Sequence, residues 1–177
     1  MTRPLKIVVS GPVGAGKTTF IRTLSETPVL DTEAEPSEDI GKATTTVAFD
    51  FGTMHLDDLP VHLYGTPGQD RFDFMWDILC QGALGLVMLV AGDRPGDFPK
   101  ARSIFEFVTS RHPVPFIIGV TRQDLERVWE PEDVADYFEL PTSHVVGLNA
   151  TDAEQSTLTL VRMLELIQDI TPIRRTA

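Results

Sequence analysis

The run Gly11-Pro12-Val13-Gly14-Ala15-Gly16-Lys17-Thr18 carries the pattern G-x-x-x-x-G-K-S/T without a gap. The chemistry that this spacing serves is the capture of a di- or triphosphate. Consecutive backbone N–H groups through Val13, Gly14, Ala15 and Gly16 can surround the anion, helped by the positive end of a helix opening at Lys17, Thr18 and Thr19. The glycines, Gly11 included, matter because a side chain would hold the backbone off the phosphates. Lys17 can reach β- and γ-phosphates, and the Thr18 hydroxyl can ligate Mg²⁺ directly. The competing reading, a chance glycine-rich turn, is weakened by the full motif standing between a strand pattern and a helix pattern.

Those flanking patterns belong to a series. Leu5 to Val9 reads as a strand entering the loop, and Lys17 to Ser25 as a helix with Phe20, Ile21 and Leu24 at helical spacing. Thr27 to Ala43 is polar and acidic, holds Pro28 and Pro36, and reads as a long mobile loop. Thr46 to Phe51 and Val61 to Tyr64 read as an antiparallel hairpin joined through Asp57-Asp58, and Gly65 to Asp73 as a second irregular loop. Leu84 to Ala91 and Phe116 to Val120 are apolar enough for central strands covered on both faces. Lys100 to Arg111 supplies the helix between them. Pro131 begins a short helix, Val145-Val146 is a last strand, and Asp152 caps the helix to Ile170. The expected fold class is α/β: one domain over 1–177, a mostly parallel six-stranded sheet with one antiparallel edge strand and helices on both faces.

Composition sets limits. With 177 residues, 15 Lys+Arg against 26 Asp+Glu and a formal charge of −11, the chain is an acidic single domain without broad attraction to nucleic acid or anionic lipid. The apolar stretch Ala83 to Ala91 is far shorter than the roughly 20 residues a membrane span needs. Lone Cys80 suits a reducing cytoplasm, and the scattered His55, His62, His112 and His144 do not suggest a metal cluster.

The cradle alone leaves the base open, and three later segments bear on it. Thr66-Pro67-Gly68-Gln69-Asp70-Arg71-Phe72 resembles the D-x-x-G-Q loop of Ras-like and Arf-like small GTPases. Thr121-Arg122-Gln123-Asp124 stands where that family carries N-K-x-D or T-K-x-D, and Asn149-Ala150-Thr151 occupies the place of its S-A-K segment. Thr44-Thr45-Thr46 lies where the family has a loop threonine that binds Mg²⁺. In order and spacing the likeness comes nearest to the prokaryotic Ras-like GTPases of gliding-motility and conservon types.

The resemblance implies a P-loop GTPase domain that binds GTP and GDP with Mg²⁺. It puts Gly68 N–H on the γ-phosphate and makes Gln69 the residue that orients the attacking water. Asp124 would read guanine N1–H and its amine, Arg122 would lie over the base where lysine is usual, and Ala150 N–H would meet guanine O6. Thr46, with Thr45 as the adjacent choice, would join Thr18 on the metal. The chief departure is Gly65, which stands where Ras-like proteins place an aspartate that holds Mg²⁺ through water. Asp50 and Asp93 are possible substitutes, each equally readable as a surface or turn residue. The implied partners are activating and effector proteins, among them a roadblock-type dimer, with membrane association at most peripheral. Two alternatives stay open: a nucleotide-binding scaffold with negligible hydrolysis, and a small-molecule kinase, for which no arginine-rich lid is evident. Phe72, Phe74, Met75 and Trp76 read either as a packed helix start or as an effector surface.

Overall fold

The computed structural model describes residues 3–31, 49–68 and 73–170. Among the described residues seven strands form one sheet in the order β2-β3-β4-β1-β5-β6-β7. They are β1 (Leu5–Ser10), β2 (Leu30–Asp31), β3 (Asp50–Leu56), β4 (Leu59–Gly65), β5 (Gly85–Ala91), β6 (Phe116–Thr121) and β7 (Val145–Gly147). The helices are α1 (Lys17–Leu24), α2 (Asp73–Cys80), α3 (Phe98–Arg111), α4 (Pro131–Phe138) and α5 (Ala153–Ile170). The expected six strands are present, with β3 antiparallel to β4 and all pairings from β4 through β7 parallel. Beyond them the two-residue β2 pairs antiparallel with β3 inside the segment expected as an open loop. The remainder of that segment, from residue 32 to 43, lies outside the described residues.

The central strands are apolar throughout because both faces are covered. Ile7, Val9, Val87, Leu89 and Ile117 point to one side and pack with Phe20, Ile21 and Leu24 of α1 and Leu160 and Met163 of α5. Val8, Leu86, Met88, Val90, Ile118 and Val120 point to the other, against Trp76 of α2, Phe98, Ile104 and Val108 of α3, and Val134 and Phe138 of α4. This two-residue alternation is the strand period sorting side chains into two cores.

The hairpin differs from its expected limits. β3 continues to Leu56 because Met54 turns inward while Thr53 and His55 face out, a half-buried alternation that lacks the apolar run of a central strand. The turn is at Asp57-Asp58, with Asp57 at φ 53. Pro131 is the first residue of α4, preceded by a capping box between Glu130 and Asp133. Asp152 caps α5, its Oδ1 accepting from Gln155 N at 3.0 Å. Among the described residues no helix is long and apolar enough to cross a membrane.

Parallel pairing brings the C-terminal ends of β1, β4, β5 and β6 to one edge of the sheet, the edge where open α/β folds bind ligands. The fully buried Leu89 sits between the two parallel neighbours of β5. Leu89→Ala is expected to cost about 2 to 5 kcal/mol in urea unfolding, the range for emptying a closed core site.

Candidate nucleotide-binding site

The cradle is the turn from β1 into α1. Gly16 caps α1 at φ 100, a left-handed backbone that favours glycine, and the first turn of α1 has no acidic residue and no side-chain cap. The N–H groups there are thus left to an anion. Lys17 folds back across the loop, its Nζ donating to the carbonyls of Gly11 at 2.7 Å and Pro12 at 2.8 Å.

The loop is gripped from both sides. At the end of β6, the Thr121 hydroxyl donates to Ala15 O at 2.8 Å. Arg122 Nη2 donates to Gly14 O at 3.0 Å, while its Nη1 is held by both carboxylate oxygens of Asp93 at 2.9 and 2.7 Å. At the end of β4, Thr66 Oγ1 donates to Ser10 Oγ at 2.8 Å. The backbone of Gly68 then rests on the cradle: a side-chain carbon there would fall 2.4 Å from Val13 N and 3.0 Å from Lys17 Nζ. Pro67 is tied to α2, its carbonyl accepting from the Trp76 indole at 2.8 Å.

Two cavities flank the cradle. One, about 350 Å³, is lined by Val13, Gly14, Lys17, Thr18, Arg22, Phe49, Asp50, Gly65, Thr66, Pro67 and Gly68. The other, about 140 Å³, is lined by Gly16, Thr19, Thr121, Arg122, Asn149, Ala150 and Thr151. The first suits phosphates, the second the start of a nucleoside. In the first, Thr18 Oγ1 donates to Asp50 Oδ2 at 2.5 Å. A hydroxyl beside a carboxylate is an all-oxygen donor set, which fits a hard cation such as Mg²⁺ that takes its remaining ligands from phosphate and water. Among the described residues no three His, Cys, Asp or Glu side chains gather into a metal cage.

The sequence-predicted residues thus fall into three groups. Gly11, Val13, Gly14, Ala15, Gly16, Lys17, Thr18, Thr19, Gly68, Thr121, Arg122, Asn149 and Ala150 come together around the cradle. Asp124 is exposed on the loop after β6 and does not line the smaller cavity. Asn149 spends its Oδ1 on Thr151 N and Oγ1, at 3.0 and 2.7 Å, shaping its own turn. Thr45, Thr46 and Gln69 lie outside the described residues, as do Arg71 and Phe72. Arg94 escaped the sequence reading. Its guanidinium lies against Gly14, with Nη1 2.2 Å from where a Gly14 side chain would begin, and its Nε pairs with Asp97 at 2.9 Å. The only local signal was an arginine just past an apolar strand.

Residues 9–176 match the family described as a conserved hypothetical ATP binding protein. The chain belongs to this family. An uncharacterised protein of Methanocaldococcus jannaschii is 28% identical over 124 residues, covering 68% of this chain and 71% of that protein. ADP-ribosylation factor-related protein 1 of Rattus norvegicus is 24% identical over 135 residues, covering 75% of this chain and 66% of that protein, just under two thirds of its length. The Arl6 (BBS3) small GTPase of Trypanosoma brucei, solved with the nucleotide analogue GppNp, superposes with a TM-score of 0.75 at 14% identity, covering 96% of this chain and 100% of that one. The fold of this family member is therefore that of Ras/Arf-like small GTPases.

The electrostatics of the cradle centre on Lys17. Burial lowers its pKa to about 8, against a raising influence from Asp50 and a further lowering from Lys100. A phosphate beside the ammonium favours its charged form, so the bound state holds the proton to higher pH than the free state does. Nucleotide affinity is therefore expected to be level below about pH 8 and to fall as pH rises above it, toward tenfold per pH unit. Titration of the nucleotide-free protein with a fluorescent nucleoside diphosphate across this range checks the sign. Affinity rising above pH 8 would contradict it.

Proposed function

We propose that this protein is a guanine-nucleotide-dependent switch that binds GTP and GDP with Mg²⁺ and hydrolyses GTP slowly, with a partner protein speeding turnover. The observation that carries this reading is the closeness of Gly68 to the cradle, where a side-chain carbon would fall 2.4 Å from Val13 N and 3.0 Å from Lys17 Nζ. A γ-phosphoryl group seated on the same N–H and ammonium comes up against Gly68. In this reading Gly68 takes a different position over a triphosphate than over an empty or diphosphate-filled cradle, which is how a segment reports the γ-phosphate.

In this reading the backbone N–H groups of the cradle and Lys17 bind and orient the phosphates. Gln69 follows Gly68 and would position the attacking water, while Thr46, with Thr45 as the adjacent choice, would join Thr18 as a ligand of the metal. Mg²⁺, when bound, neutralises charge on the β- and γ-phosphates. Arg122, locked between Asp93 and Gly14, presents its stem to the base, with Thr121, Asn149 and Ala150 around it and Asp124 reading the guanine edge. Turnover without a partner then falls on the order of 10⁻⁴ to 10⁻² s⁻¹. The partner-facing surface is α2, where Phe74 and Ile78 are exposed beside buried Trp76. That split supports an effector surface tied to the Gly68 loop. The gliding-motility or conservon subtype, a roadblock-type dimeric activator and a cytoplasmic setting belong to the same proposal.

A second reading, an adenine-nucleotide module, draws on the family's description and on the position of Asp124 outside the smaller cavity. The two separate cleanly. Denaturing freshly purified protein and separating the released nucleotide by chromatography is expected to yield GDP, whereas ADP or ATP would favour the second reading. Lys17→Ala is expected to abolish nucleotide binding in fluorescence titrations. Gln69→Leu should retain GTP while slowing its single-turnover hydrolysis by about tenfold or more, through loss of water positioning. Asp124→Asn should erase the preference for GDP over ADP in competition assays, and an unchanged preference would remove Asp124 from base recognition.

A further inference from the structure

Asp50 and Gly65 are register partners across β3 and β4. Gly65 closes β4 at the place where the resembling GTPases carry a carboxylate, and here it has no side chain. A carbon added at Gly65 would stand 2.8 Å from Ile21 Cδ1, 3.2 Å from Asp50 Cβ and 3.4 Å from Asp50 Oδ2. The space beside Gly65 is thus shared by the tip of Ile21 and by a carboxylate delivered from the neighbouring strand.

The direction of the hydrogen bond gives that carboxylate a task. A threonine hydroxyl that ligates a cation turns a lone pair to the metal and its proton away, and the proton needs an acceptor. Asp50 Oδ2 takes the Thr18 proton at 2.5 Å. Asp93, the other candidate, is committed to Arg122 through both oxygens and does not line the chamber that holds Thr18. We propose that Asp50 is the outer carboxylate of the Mg²⁺ site, orienting Thr18 and the metal-bound waters from β3 in place of Gly65 on β4. The proposal rests on the nucleotide-switch reading above and specifies its metal site. Asp50 acts through Thr18 and water, so it is a positioning residue, and a carboxylate with this role sets metal affinity by about 10- to 100-fold.

The test is the release rate of N-methylanthraniloyl-GDP measured in EDTA and across a Mg²⁺ titration, an observable independent of hydrolysis. In the wild-type protein Mg²⁺ should slow release. In Asp50→Asn the ratio of the EDTA rate to the Mg²⁺ rate should collapse toward one, and the half-saturating Mg²⁺ concentration should rise by about 10- to 100-fold. A reciprocal exchange, Asp50→Gly with Gly65→Asp, returns a carboxylate to the chamber from β4 and is expected to recover much of the Mg²⁺ effect. Asp50→Asn with a wild-type Mg²⁺ titration would overturn the proposal. So would a wild-type protein whose release ignores Mg²⁺, or an exchanged variant that folds and binds nucleotide in EDTA yet stays insensitive to the metal. If the base assignment is wrong, labelled ADP will outcompete labelled GDP, and the same titration with ADP still decides the role of Asp50.

Discussion

A nearly buried ammonium needs oxygen around it, and the edge of this sheet is built to supply it. Lys17 is 9% exposed, and its charge is tolerated through the carbonyls of Gly11 and Pro12 and the field of Asp50. Those carbonyls point inward only because the loop between β1 and α1 turns back on itself. That loop in turn keeps its shape because Thr121, Arg122 and Gly68 press on it from the strands on either side. The parallel sheet is what brings these anchors within reach. A phosphate entering the cradle meets donors whose orientation is already paid for by the fold.

The two neighbours of the loop are held with different firmness. On the β6 side, Thr121 is buried and its hydroxyl donates to Ala15 O and, at 3.2 Å, to Val90 O, which ties the strand end to the cradle. On the β4 side, among the described residues, Pro67 accepts the indole hydrogen bond of Trp76 and Gly68 lies close against the cradle. A switch of the kind proposed above would confine its two positions to the β4 side, leaving the β6 side fixed.

How much of this could be read in the sequence depends on whether the information is local. The cradle is contiguous, so Gly11 to Thr18 announces itself, and the apolar runs at Leu84 and Phe116 foretell covered strands because both cores demand them. Pro131 and Asp152 mark helix starts by their own stereochemistry. The pairing of Asp50 with Gly65 is a matter of strand register, and no local pattern says which carboxylate will face an empty position. Sequence put Asp50 on a short list with Asp93, and strand register, the lining of the chamber and the hydrogen bonds separate them. Arg94 over Gly14 was hidden for the same reason, being a contact between two loops 80 residues apart. β3 also begins at Asp50 and ends at Leu56 where Thr46 to Phe51 was expected, residues 46–48 lying outside the described ones, as a one-sided strand lacks the apolar density that marks β5.

The hydrogen bond from the Trp76 indole to the Pro67 carbonyl gives the protein an optical property. The chain has two tryptophans, and the other, Trp129, is 36% exposed and packs edge-on to Phe98 at 5.1 Å. Trp76 is buried, with its only polar atom bound to the residue preceding Gly68. Its emission depends on that hydrogen bond, so if the switch proposed above shifts Pro67 and Gly68, the unlabelled polypeptide carries its own fluorescent reporter of the shift.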